Sequence, residues 1–175
     1  MGHISIPRSL RSKEKPRRRS KESSRHRKRK IYLQRNGLRW KYDESQDKMG
    51  RGIIKTATVN SVNEINFAFP YTGPQRGTLG TSHNPKYGKD VILSIARGQF
   101  LCGINGCKVS VRFDDGKAQR YSAKEPADYS TTYLFLSNYD RFVSGLRKAK
   151  KVYIEASFNQ EATRAFEFEV SGLKW

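Results

Sequence analysis

Long apolar runs are missing from this sequence. A secretory signal carries roughly 7 to 15 consecutive apolar residues after a basic start, and a transmembrane helix needs roughly 20. The longest apolar run in the first forty residues is Ile31-Tyr32-Leu33, and no later segment approaches the length of a membrane span. We therefore expect no transmembrane segment, no export by the common route and, from the sequence as it stands, a cytoplasmic location.

Cysteine and histidine are scarce, with two and three residues, and His83 is the only histidine outside the first forty residues. A structural zinc ion takes about four such ligands, so we expect no metal. A Cys-x-x-Cys redox pair is absent. A histidine base would have to be His83, for which an exposed loop position beside Asn84-Pro85 is the simpler interpretation.

A glycine-rich phosphate loop and an obvious pair of catalytic carboxylates are also missing. The acidic candidates lie in two turns, a loop and a helix start, where each has a structural use. They are Asp114, Asp115, Asp128 and Asp140. We therefore expect a protein that is not an enzyme, with no catalytic residues and no cofactor.

Positive charge is abundant and uneven. Fifteen Lys or Arg residues in the first forty face only Glu14 and Glu22, which places about +13 of the formal charge of +19 there. Residues 1–37 have almost nothing apolar to bury, so they should form an arm that is disordered when free. Residues 38–175 should form the folded domain.

The arm predicts binding to a polyanion, because basic side chains release the counterions condensed on it. Nucleic acid is the first candidate, and binding should be independent of base sequence because the arm fixes no base-reading side chains. A solvated tail, a nuclear-type or membrane-surface address, and an extension left by an early start codon are open alternatives. The residues expected to contact phosphates are Arg17, Arg18, Arg19, Lys21, Arg25, Arg27, Lys28, Arg29 and Lys30.

Residues 98–116 give the clearest strand signal and predict a β-hairpin that carries both cysteines. Val109, Val111 and Phe113 alternate with polar residues, which is the period of a strand with one buried face. Asn105-Gly106 and Asp115-Gly116 favour tight turns on either side. Further strands are predicted at residues 38–42, 53–59, 65–69, 78–82, 91–95, 118–122, 131–136, 152–158 and 166–170.

One helix is predicted after Ser137, because Ser137 and Asp140 have the spacing of a capping box. Its apolar stripe, which should pack on the sheet, consists of Phe142, Val143, Leu146 and Ala149. The elements together predict an α+β fold: a mostly antiparallel β-sandwich with one amphipathic helix near the C-terminus and a disordered basic N-terminal arm. Trp175 should dock on the sheet.

Cys102 and Cys107 present a choice between a disulfide, metal ligation and free thiols. In a hairpin with a four-residue loop the two residues face each other within disulfide range, which favours pairing. Closing so short a loop contributes only about 2 kcal/mol of chain entropy. The compartment decides the outcome, since cytosolic thiols stay reduced and those of an exported domain are oxidised.

Five segments occur in order at residues 70–79, 87–102, 107–118, 126–136 and 172–175: PYTGPQRGTL, YGKDVILSIARGQFLC, CKVSVRFDDGKA, PADYSTTYLFL and GLKW. Together they resemble a family of small, uncharacterised bacterial and prophage-borne β proteins, exported or lipid-anchored. The resemblance implies an oxidised Cys102–Cys107 pair and a periplasmic or envelope location if the true start differs. It supplies no catalytic residues, and the basic arm stands where that family has a signal.

Three functions follow from these expectations. The first is a non-enzymatic binding or accessory protein, linked to phage, whose cationic arm associates with nucleic acid without sequence specificity. The second is an envelope interaction domain with an incidental arm, which binds a protein partner through its sheet and the loops of residues 71–87. The third is a virion-type structural protein, because a β-sandwich with a basic arm can coat nucleic acid.

Overall fold

The structure, a computed structural model, describes the backbone of residues 17–35 and 37–175 and the side chains of residues 24–34 and 37–175. The helices are α1 (Arg17–Arg35) and α2 (Tyr139–Lys148). The strands are β1 (Lys41–Gln46), β2 (Ile53–Asn60), β3 (Ile65–Phe67), β4 (Gly73–Gln75), β5 (Gly77–Asn84), β6 (Gly88–Ile95), β7 (Cys107–Phe113), β8 (Gln119–Lys124), β9 (Tyr133–Leu136), β10 (Lys151–Ala156) and β11 (Arg164–Glu169). The chain divides into two units between Tyr32 and Leu33.

Helix α1 lies within the stretch predicted to form the arm, and residues 17–35 have helical backbone there. Arg, Lys and Gln are good helix formers, and no Gly or Pro interrupts them within α1. Residues 1–16 and 36 of the predicted arm lie outside the described residues.

The C-terminal end of α1 is fixed by a Schellman motif. Gly37 has a φ of 64°, the left-handed conformation that favours glycine at this position. The main-chain N–H of Leu38 donates to the carbonyl of Leu33 at 2.8 Å, and that of Gly37 donates to Gln34 at 3.2 Å. Leu33 and Leu38 are both buried. The helix therefore ends at two buried leucines. One of them, Leu33, lies within the predicted arm.

Nine strands form one sheet in the order β1-β2-β5-β6-β9-β8-β7-β10-β11, and β3 pairs with β4 separately. The pairings within the sheet are antiparallel, which confirms the predicted mostly antiparallel β structure. The structure differs from the predicted sandwich, because the large sheet is continuous and curls until β11 contacts β2. Twisted sheets of this size commonly curl. The main-chain N–H of Val62, just after β2, donates to the carbonyl of Glu167 in β11 at 2.7 Å.

The hydrophobic core lies on the inner face of the curled sheet. Every second residue of a strand faces inward, as Val152, Ile154 and Ala156 of β10 do, and these three are buried. Phe166 and Phe168 of β11 join them with no exposed surface. The period-of-two patterns in the sequence therefore assigned these side chains to the correct face.

Helix α2 packs on the sheet through the predicted stripe, since Phe142, Val143, Leu146 and Ala149 are all buried. The predicted capping box at its start is wrong. Asn138 precedes the helix with a φ of 62° and makes no side-chain capping bond. Ser137 donates its main-chain N–H to the carbonyl of Ser122 at 2.8 Å, so it still belongs to the end of β9.

The structure confirms the turn of the predicted cysteine hairpin. The first of the two predicted strands is not formed in the described part of the chain. The main-chain N–H of Gly106 donates to the carbonyl of Gly103 at 2.9 Å. The predicted strand before the turn is absent from the described residues 98–102, where Phe100 forms an isolated bridge with Phe158. β7 pairs instead with β8 and β10.

Candidate functional site

The predicted phosphate-contacting residues all lie on α1. Four of them, Arg17, Arg18, Arg19 and Lys21, have helical backbone, and their side chains lie outside the described residues. The side chains of the other five are exposed, and residues 24–34 contain no acidic residue. These five are Arg25, Arg27, Lys28, Arg29 and Lys30.

The helix arranges some of these cations on one side. Arg25, Lys28 and Arg29 are spaced by three and four residues, so they share one face with Tyr32. Tyr32 is 56% exposed. At about 1.5 Å per residue, the 19-residue helix is about 28 Å long. The arrangement can present a row of positive charge and one aromatic ring to an extended anionic ligand.

The structure pairs Cys102 with Cys107 in a disulfide, with the two Cα atoms 4.3 Å apart. This confirms the pairing that the hairpin geometry favoured. A carboxylate of Glu125 lies close to both sulfur atoms. Sulfur atoms held in a disulfide are not thiolates, so this cluster does not offer the ligands that a thiolate metal site needs.

A second candidate site lies on the inner face of the sheet, where a groove of about 610 Å3 opens beside α2. Its floor is a row of four side chains on adjacent strands, Glu44, Lys55, His83 and Lys89. The register pairs Glu44 with Lys55, Lys55 with His83, and His83 with Lys89. We call this set the ionisable row, and the cavity above it the row groove.

The ionisable row lies on the same face of the sheet as the core, further along the strands, where that face is exposed to solvent. Lys55 and His83 lie two residues from Ala57 and Thr81, which are buried, so all four point to the same face. The sequence predicted an exposed loop position for His83. The structure corrects this, because His83 is exposed but lies on β5 within the groove lining.

The walls of the row groove come from β1, α2 and the last residues of the chain. Tyr42 accepts a hydrogen bond from the main-chain N–H of Lys174 at 2.7 Å. Trp175 donates its indole N–H to the hydroxyl of Tyr139, and Arg147 donates to the main-chain oxygen of Trp175. Trp175 is partly buried against the hydrophobic core, but its hydrogen-bond partners Tyr139 and Arg147 lie on α2 and not on the sheet, where docking was predicted. Three aromatic rings line the groove, those of Tyr42, Tyr139 and Trp175.

Charge in the row groove is only partly compensated. The ammonium of Lys55 lies 3.2 Å from a carboxylate oxygen of Glu44, whereas the ammonium of Lys89 lies 5.8 Å from the ring centre of Tyr139. Among the described residues, His83 and Lys89 have no carboxylate within ion-pair distance. Asp140, at the start of α2, and Arg147 also line the groove.

Two acidic candidates have the structural roles expected of them. A carboxylate oxygen of Asp114 accepts hydrogen bonds from the main-chain N–H groups of Lys150 and Lys151 at 2.9 and 2.8 Å. Asp128 accepts one from the N–H of Ser130 at 3.1 Å. These carboxylates stabilise connections between strands and turns.

No protein-family model, curated protein or solved structure matches this chain. Within the described residues, no helix combines the length and the apolar character that crossing a membrane requires. The two candidate sites, the basic helix and the row groove, therefore have to be interpreted from their own chemistry.

Proposed function

We propose that this chain is a non-enzymatic accessory protein that binds nucleic acid through α1 without reading base sequence. The observation that supports the proposal is the run of five exposed cations in residues 24–34 with no carboxylate among them. A regular helix holds such charges at a fixed spacing, which lowers the entropic cost of placing them along a phosphate backbone. The proposal includes the link to phage that the family resemblance implies.

The proposed binding depends on charge, so salt is its most direct probe. Each neutralised phosphate contributes about −0.9 to the slope of log affinity against log salt on duplex DNA. A contact set of about six phosphates predicts a loss on the order of a thousandfold between 50 and 200 mM salt. Duplexes of unrelated sequence should bind with equal affinity.

The test is fluorescence anisotropy with two unrelated duplexes across that salt range. In one variant the five exposed helix cations become Gln, which retains helix propensity: Arg25→Gln, Arg27→Gln, Lys28→Gln, Arg29→Gln and Lys30→Gln. A control of equal net charge replaces five exposed lysines of the sheet unit: Lys86→Gln, Lys108→Gln, Lys117→Gln, Lys124→Gln and Lys148→Gln.

The helix variant should lose most of its affinity, and its salt slope should become shallower by about four to five. The control should retain most of its affinity. Equal losses in both variants would mean that binding follows overall charge, and an affinity that does not change with salt would rule out phosphate contacts altogether. Either result overturns the role of α1.

The disulfide supports a second candidate, an envelope interaction domain whose basic arm is incidental. Structural disulfides form and persist in oxidising compartments, and Cys102–Cys107 is one. Fractionation of the native host, with thiol labelling of the protein in each fraction, tests this candidate. Oxidised protein in the periplasm supports it, and reduced protein in the cytoplasm rules it out.

A virion-type structural role would instead appear as large symmetric assemblies in sedimentation with nucleic acid.

A further inference from the structure

The row groove has a feature that packing does not explain. Lys55, His83 and Lys89 lie side by side on three neighbouring strands, about 4.8 Å from one strand to the next. Like charges directly opposite one another destabilise an antiparallel pair. Glu44 offsets the charge of Lys55, so His83 and Lys89 are the neighbours without a carboxylate, and an anion above them would add a favourable interaction.

Only part of the charge in the row groove is available to such a ligand. Glu44 is already engaged by Lys55, and Asp43 alternates with Tyr42 and Glu44 along β1, so its side chain points to the opposite face. Asp43 nevertheless lines the groove, as does Asp140 at the start of α2. With Lys55 engaged by Glu44 and Arg147 by the main-chain oxygen of Trp175, the positions left for an anion are His83 and Lys89.

The spacing and the walls indicate which anion fits. His83 and Lys89 face each other on adjacent strands, about 4.8 Å apart, so both can reach oxygens of one phosphate group, which offers more acceptors than a single carboxylate. Tyr42, Tyr139 and Trp175 add aromatic surface, against which a flat ring can stack. A volume of about 610 Å3 falls within the usual range for small-molecule sites, roughly 300 to 1,000 Å3.

We propose that the row groove binds a small phosphate monoester that carries a planar ring, of about the size of a mononucleotide. Lys89 and His83 contact the phosphate, and the ring lies against the aromatic wall. The site is separate from α1 and involves no covalent step. It therefore does not depend on whether α1 binds nucleic acid.

The test is isothermal titration calorimetry of the full chain with adenosine 5′-monophosphate, adenosine and inorganic phosphate. The monophosphate should bind at least tenfold more tightly than either fragment, because it alone makes both the charge-assisted hydrogen bonds and the stacking contact. If inorganic phosphate binds as tightly as the monophosphate, the ring contact is wrong. If the monophosphate does not bind at millimolar concentration, the site is wrong.

Two variants and two controls complete the test. Lys89→Gln and His83→Gln should each weaken monophosphate binding about tenfold or more. Lys86→Gln removes an equal charge from the adjacent exposed turn, outside the groove, and should change affinity less than about twofold. The five-residue α1 variant should bind the monophosphate normally. Loss of binding in Lys86→Gln or in the α1 variant would place the site elsewhere.

Thermal unfolding without ligand separates a binding role from a structural one. Because Lys89 lies beside another cationic position, Lys89→Gln should leave the unfolding midpoint unchanged or raise it. A lower midpoint would show that Lys89 stabilises the fold, and it would overturn the interpretation of the ionisable row as an unpaired ligand site.

Discussion

The indole N–H of Trp40 donates a hydrogen bond to the main-chain oxygen of Val170 at 2.9 Å. Trp40 directly precedes β1 and Val170 directly follows β11, so this bond joins the two edge strands of the nine-stranded sheet. The hydroxyl of Tyr42 reinforces the junction through the carbonyl of Gly172 at 3.4 Å. The curl of the sheet thus brings together residues 130 positions apart, and it forms one side of the row groove.

Replacing Trp40 with Phe should destabilise the protein by about 1 kcal/mol, because a partly buried hydrogen bond is lost and the carbonyl of Val170 is left without its donor. Urea unfolding followed by circular dichroism measures the difference. Tyr129→Phe is the control, since Tyr129 is 85% exposed and the change should be close to neutral. A Trp40→Phe protein as stable as the native one would show that the junction does not contribute to the closed sheet.

Asp47 in the β1–β2 turn should make stability depend on pH. The Arg51 guanidinium, 3.0 Å away, and the N–H of Met49 lower the pKa of the Asp47 carboxyl below its ordinary value. A lowered folded-state pKa stabilises the protein above the unfolded pKa, and this stabilisation is lost as pH falls through the folded value. Asp47→Asn should therefore be less stable than the native protein near neutral pH, and the difference should shrink in acid.

Urea unfolding of both proteins between neutral pH and about pH 3 measures that trend, since the ordinary Asp pKa is about 3.9. Ser45→Ala, an exposed change on β1 that removes no titratable group, is the control and should show no such convergence. A difference between native and Asp47→Asn proteins that is constant with pH would mean that the contact with Arg51 does not depend on the charge of the carboxyl.

Leu146 lies at the centre of the contact between α2 and the sheet and has no exposed surface. Leu146→Ala should cost about 2 to 5 kcal/mol, because it removes buried methyl groups and leaves a cavity. Ser144→Ala, on the exposed face of the same helix, should have little effect. Denaturant unfolding measures both changes, and a loss below about 1 kcal/mol for Leu146→Ala would contradict close packing of α2 on the sheet.

The Cys102–Cys107 disulfide should contribute modestly to stability, since it closes a short loop. Replacing both cysteines with Ala should lower stability by about 2 kcal/mol, which corresponds to about 4 to 8 °C in the unfolding midpoint of a chain of this size. A reductant should lower the midpoint of the native protein by a similar amount and leave the double variant unchanged. A midpoint of the native protein that the reductant does not move would show that the crosslink adds no stability.

Local pattern predicted much of this fold. The alternation in β7, β10 and β11 assigned the buried face, the apolar stripe of α2 identified its contact with the sheet, and Asn105-Gly106 located the turn beside the cysteines. These three predictions are correct because strand and helix periodicity are properties of residues close together in sequence. The start of α2 was missed because Asn138 adopts a left-handed conformation that no capping pattern indicates.

The sequence by itself determined where charge concentrates, which residues alternate into the core and that two cysteines could meet across a tight turn. Only the tertiary structure decided that nine strands form one curled sheet, and that Lys55, His83 and Lys89 stand in a row beneath Tyr139 and Trp175. The reason is physical: strand order and register depend on contacts between distant segments, and local periodicity does not specify which strands become neighbours.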